Sequence, residues 1–123
     1  MPRRVKTTSA KIGNTPAGRR VLSDVSDTTS SPTLKGQGYQ IEQNELAHLL
    51  FNVSGTNPVF RIRYWLYSII SGKWHKGRQV VVQTSDLVTL ELQGMDRIFL
   101  QVEATPSGVN PKLDAWIALV RPV

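Results

Sequence analysis

From residue 59 to residue 70 the chain alternates between two sets of side chains. Phe60, Ile62, Tyr64, Leu66 and Ile70 share one parity, and Arg61, Arg63, Trp65 and Tyr67 the other. Successive side chains of a pleated strand leave on opposite faces, so a period of two predicts a half-buried strand whose Phe60 face meets a core. A helix would scatter Arg61 and Arg63 through its apolar stripe. At about 3.3 Å per residue this run is roughly 40 Å long, about twice an ordinary strand. It therefore spans a whole sheet or bends from one sheet into another.

The same period recurs along the chain. Residues 39–43 read as a short first strand. In residues 46–53, Ala47, Leu49, Phe51 and Val53 fall on one parity, although a short helix over residues 45–50 competes with the strand. Residues 54–58 are loop by their turn chemistry, as are residues 71–77, which carry an exposed-looking Trp74. Residues 78–84 are short and β-rich. Residues 87–92 put Val88, Leu90 and Leu92 on one face, and residues 97–105 do the same with Ile98, Leu100, Val102 and Ala104. Residues 106–111 read as another loop. Residues 114–121 supply a last strand that is apolar on both parities. About seven strands separated by Gly, Pro, Asn or Ser, with no convincing amphipathic helix, predict an all-β antiparallel sandwich or jelly roll. An OB-type barrel is the alternative.

Residues 1–38 are different. They hold eleven Ser/Thr, four Gly and three Pro, and no aromatic residue. Such a stretch cannot bury enough apolar surface to offset the entropy of ordering it, so it predicts an extended N-terminal arm ahead of a β-sandwich domain at residues 39–123. Val5, Ile12, Val21, Leu22, Val25 and Leu34 nevertheless recur along it. Charge concentrates in this arm too. It carries seven Lys/Arg against two Asp, whereas the remaining residues carry eight Lys/Arg against seven acids, so most of the net +6 belongs to the first third.

Composition excludes some chemistry. Without cysteine there is no disulfide framework, thiolate metal site or cysteine nucleophile. No apolar run approaches a membrane span, and no apolar region follows the basic N-terminus as in a secretory signal, although Arg-rich, Ser/Thr-rich starts also occur in organelle transit peptides. His48 and His75 have no second ligand at metal spacing. No nucleophile elbow, P-loop or dinucleotide fingerprint occurs, and no carboxylate pair stands out, so neither catalysis nor a cofactor is expected. Glu91 and Glu103 read as solvated outward residues, and the Asn52-Val53-Ser54 glycosylation pattern as chance.

Partner contacts are expected at two places. Arg61, Arg63, Trp65 and Tyr67 on one face could track phosphates and stack bases, shield an outward face, or lie under another protein; Trp74 extends that set. In the arm, Arg3, Arg4, Lys6, Lys11, Arg19 and Arg20 alternate with Ile12, Val21 and Leu22. That spacing suits a strap laid over a protein surface, with nucleic-acid binding and a plain solubilising tail as the other readings.

A basic, Ser/Thr-rich arm before a small cysteine-free β-body resembles the cement (decoration) proteins of tailed bacteriophage capsids, and residues 88–103 with residues 115–120 look like their closing strands. The resemblance implies a virion structural protein on the outer capsid surface, present in the host cytoplasm during assembly. It also implies a homotrimer, less often a dimer. Its partners would be the major capsid protein and neighbouring copies, reached through the arm, with no membrane and less call for nucleic acid.

Overall fold

The computed structural model of the chain describes residues 17–41, 46–92 and 94–120. These form β1 (Ala17–Val25), β2 (Tyr39–Gln40), β3 (Leu46–Ser68), β4 (Lys73–Val82), β5 (Asp86–Glu91), β6 (Arg97–Val102) and β7 (Ser107–Val120). Every pairing is antiparallel, and no helix occurs among the described residues. The chain is an all-β antiparallel sandwich.

Its organising element is β3, which belongs to both layers. Residues 46–51 pair with β5 on one side and β7 on the other, while residues 60–68 pair with β4 and β6. The first sheet is thus ordered β1-β7-β3-β5 and the second β2-β6-β3-β4. A straight strand of 23 residues would run to roughly 75 Å. It turns instead at residues 54–59, where its register with β7 breaks between Ser54, Thr56 and Val59.

Glycine makes that corner possible. Gly55 (φ 116°) and Gly108 (φ 100°) face each other's strands, with Asn57 and Asn110 also left-handed. A Cβ on Gly55 would lie 2.7 Å from the Asn110 carbonyl oxygen, and one on Gly108 2.5 Å from that of Asn57. Backbone meets backbone there, which only a residue without a side chain permits.

The core lies between the two inner faces. Ala47, Leu49, Phe51, Leu90, Leu113, Ala115 and Ile117 come from the first sheet, and Phe60, Ile62, Val82, Ile98, Leu100 and Val102 from the second; all are buried.

Residues 46–53 are strand, as their alternation predicted, and not the competing helix. Several other sequence expectations change. Residues 54–58 do not end a strand but form the bend inside β3. Most of the expected loop at residues 71–77 is β4, and the expected loop at residues 106–111 belongs to β7 from Ser107 onward. At residues 54–58 and 106–111 the turn chemistry marks a corner within continuous pairing; at residues 71–77 it marks the end of the β3–β4 hairpin turn and, near Gly77, a bulge in β4. The parity of residues 59–70 holds through Tyr67: in unbroken register with β6, Ile62, Tyr64 and Leu66 lie beside the core residues Val102, Leu100 and Ile98, while Arg63, Trp65 and Tyr67 take the outer face. The register break with β4, between Arg63 and Trp65, is a bulge in β4; Tyr67 is buried on the outer face against Trp74, and Ile70, expected on the core parity, is 92 % exposed at the hairpin tip.

The arm changes most. Residues 17–25 are not laid on a neighbour; they form β1 on this chain's own β7, with Leu22 in the core. Residues 26–38 then cross to the second sheet. Thr29 exchanges bonds with β6: its amide donates to the Val102 carbonyl (3.0 Å) and its hydroxyl accepts from the Val102 amide (2.9 Å). The expected boundary at residue 38 therefore does not separate arm from body.

Candidate docking surfaces

The outer face of the second sheet gathers the candidates from residues 61–74, and most are already engaged with their own chain. Arg63 donates through Nε to both Glu103 oxygens (3.1 and 3.0 Å), through Nη2 to Oε1 (2.9 Å) and through Nη1 to the Gly77 carbonyl (2.9 Å). Gln79 donates to the same carboxylate (2.7 Å), and Lys76 lies 3.7 Å from it. The Arg63 hydrogen bonds hold the Glu103 carboxyl below the usual carboxylate range, with Gln79 and Lys76 adding to the effect against a smaller desolvation penalty. Glu103, expected to be merely solvated, is the anchor of this face. Trp65 donates its indole N–H to Gln101 (2.8 Å). Arg61 is exposed at the far end, with no side-chain partner among the described residues.

The segment at residues 26–38 walls this face. Gln101 donates to the Thr29 carbonyl (3.4 Å), and the Trp74 indole N–H donates to the Leu34 carbonyl (3.0 Å). The Gln37 side chain accepts from the Thr33 and Leu34 amides (both 2.7 Å), closing a turn. Arg97 donates to the carbonyls of Gly36, Gln37 and Gly38. Between the turn and the β3–β4 hairpin lies a hollow of about 340 Å³ lined by Pro32, Thr33, Lys35, Trp65, Tyr67, Gly72, Lys73 and Trp74. Its rings meet edge-on, Tyr67 to Trp74 at 67° and Trp74 to Phe99 at 70°. That arrangement packs aromatics against each other and leaves little flat ring to receive a base.

The outer face of the first sheet is the more apolar one. Register puts Leu46 beside Val120, Leu50 between Trp116 and Leu87, and His48 between Ala118 and Thr89. These side chains alternate with the buried set, so they point away from the core. Leu87 is 54 % exposed and the others are half-buried or exposed. His48 Nδ1 and Thr89 Oγ1 are hydrogen-bonded at 2.9 Å. At the β1 side, Arg20 sits over the Trp116 ring (5.5 Å) and is ion-paired with Asp114. Asp114 also accepts from the Asp24 amide (2.8 Å), and that bond, then Arg20, lowers its pKa. Only the margin of this face is charged.

The remaining candidates are scattered. Arg19 lies over the Tyr39 ring (5.4 Å) at the mouth of a cavity of about 370 Å³ between β1 and β6, which Leu22 helps to floor. Val21 packs half-buried against the core. Arg3, Arg4, Lys6, Lys11 and Ile12 lie outside the described residues. The structure thus brings Trp65, Tyr67 and Trp74 together, ties Arg63 to Glu103, and places Arg19 and Arg20 elsewhere. Sequence reasoning missed Leu46, Leu50, Leu87, Trp116, Ala118 and Val120 as a surface. Their signal was present in the last strand, apolar on both parities although it can bury only one.

Among the described residues no three His, Asp or Glu side chains cluster as metal ligands. The chain matches no protein-family model, and no curated protein matches it.

Proposed function

We propose that the chain is a structural coat protein that adheres to another protein's surface, in the manner of a capsid cement protein, through the outer face of the β1-β7-β3-β5 sheet. One observation carries this reading. A sheet face carrying Leu46, Leu50, Leu87, Trp116, Ala118 and Val120 on a small sandwich has no core left to serve, since the opposite parity of the same strands fills it. Contiguous outward apolar surface of this kind, with Trp116 where it meets the charged Arg20–Asp114 margin, suits a protein interface. The arginines that could have tracked phosphates beside Trp65 are committed or distant, which disfavours a nucleic-acid role for the second sheet. Anchoring by residues 1–38 as a free strap gives way to anchoring by the sheet, because residues 17–38 are bound to the body.

Co-sedimentation with phage heads stripped of this protein tests the proposal. Trp116→Glu is expected to weaken attachment at least tenfold, while Val109→Glu, on another exposed surface, leaves it unchanged. Equal attachment of both variants would contradict the reading.

A further inference from the structure

Among the described residues a sandwich of two four-stranded sheets leaves four edges unpaired by a further strand, here β1, β5, β2 and β4. Unpaired edges are templates for other strands, and three of these are blunted by familiar devices. The β1 register breaks twice, and Asp24 is left-handed at φ 51°. A register break interrupts β4, which also carries Lys73, Lys76 and Arg78. Only two residues make up β2. The fourth edge has no such protection along its length. All six residues of β5 pair with residues 46–51 in unbroken register, and its centre, Leu87-Val88-Thr89-Leu90, is uncharged.

The ends of β5 select what can pair there. Asp86 and Glu91 stand five residues apart. Two β5 strands meeting antiparallel about a two-fold axis would set Asp86 against Glu91 at both ends, and like charges directly opposite are unfavourable. A fitting strand instead carries basic residues at that spacing around an uncharged centre. This chain contains one: in Lys6-Thr7-Thr8-Ser9-Ala10-Lys11 the lysines are five apart, and Val5 and Ile12 flank them.

We propose that residues 6–11 of one copy extend the first sheet of a second copy along β5, antiparallel, with Lys6 opposite Glu91 and Lys11 opposite Asp86. The Asp86 carboxylate, which now accepts from the Leu87 amide (2.8 Å), turns to the incoming lysine. Reach argues for a second copy. Ala17 lies three strands from β5, at the level of Leu90. In this register Lys11 of the same chain would have to sit roughly 23 Å away diagonally across the sheet, four strand spacings over and four residues along. Six residues cover at most about 20–22 Å fully extended, with nothing left to clear the side chains between. The link involves copies of this chain alone and stands separately from attachment to a shell.

A chain without cysteine makes the test direct. Full-length Thr8→Cys and Thr89→Cys chains, mixed under mild oxidation, are expected to form a disulfide-linked dimer containing one of each. Adding Lys6→Glu and Lys11→Glu to the first chain should cut the yield at least fivefold. Adding Asp86→Lys and Glu91→Lys to the second should restore it. Absence of the mixed dimer, a yield indifferent to the charge exchange, or cross-linking only within a doubly substituted Thr8→Cys/Thr89→Cys chain would each overturn the proposal.

Discussion

Glu103 accepts from Arg63 and Gln79 and draws in Lys76, so one carboxylate ties together β3, β4 and the end of β6. Removing its charge by Glu103→Gln is expected to cost about 1 kcal/mol, since the cluster is only partly shielded from solvent. Its pKa and that of Asp114 are both lowered by folding. Groups shifted this way contribute stability above the ordinary carboxylate range and lose it as pH falls through the lowered value. Melting temperature should therefore hold from neutrality to about pH 5 and decline below about pH 4, less steeply in Glu103→Gln. A slope identical to the parent would remove Glu103 from that account. At Gly77, a Cβ would lie 2.2 Å from the Tyr64 ring and 2.7 Å from the Tyr64 carbonyl oxygen. Gly77→Ala is expected to destabilise by roughly 1–3 kcal/mol in denaturant unfolding. None of this was readable in sequence, because which outward residues meet depends on a register that a single strand's alternation does not specify. Tyr67 shows the limit well: its parity with Arg61 marked it as outward, and it is outward, but alternation does not show that Trp74 buries it there.

Strand identity was legible where alternation was unbroken, as at Ala47, Leu49 and Phe51 or Ile98, Leu100 and Val102. Alternation also gave the strand through residue 60 about twice the ordinary length, and left open whether it spanned one sheet or bent into another. It failed at residues 54–58 and 106–111, where Gly, Asn and Pro mark a bend in two paired strands and not their ends. Gly108→Ala tests that corner. It should destabilise the chain by more than an ordinary surface Gly→Ala and disturb both sheets in an amide spectrum, since the pairing of β3 and β7 passes through it. Composition failed for residues 17–25, where one core residue, Leu22, and a long ladder with β7 outweigh a disorder-like average. A chain lacking residues 1–16 keeps β1 and should accordingly melt well above one lacking residues 1–38. Deletion of residues 1–38 should cost more than about 3 kcal/mol, because it removes Leu22, β1 and the wall over Trp74. Equal melting of the two truncations would show that β1 is dispensable to the body.

The two outer faces divide the molecule's surface by chemistry. One is held by Arg63, Glu103, Gln101 and the crossing segment, and is largely self-satisfied. The other presents Leu46, Leu50, Leu87, Trp116 and Val120 with no covering element among the described residues. Sequence directed attention to the first because basic and aromatic residues interleave there. The second, made from the off-core parity of ordinary strands, drew none. The chain's three tryptophans report on both faces, Trp116 on the first sheet and Trp65 and Trp74 on the second. Hydroxyl-radical oxidation of the full-length protein, free and bound to stripped heads, reads them separately. Attachment through the first sheet predicts strong protection of Trp116 with Trp65 and Trp74 oxidised as in the free protein. Protection of Trp65 and Trp74 with Trp116 unchanged would contradict it.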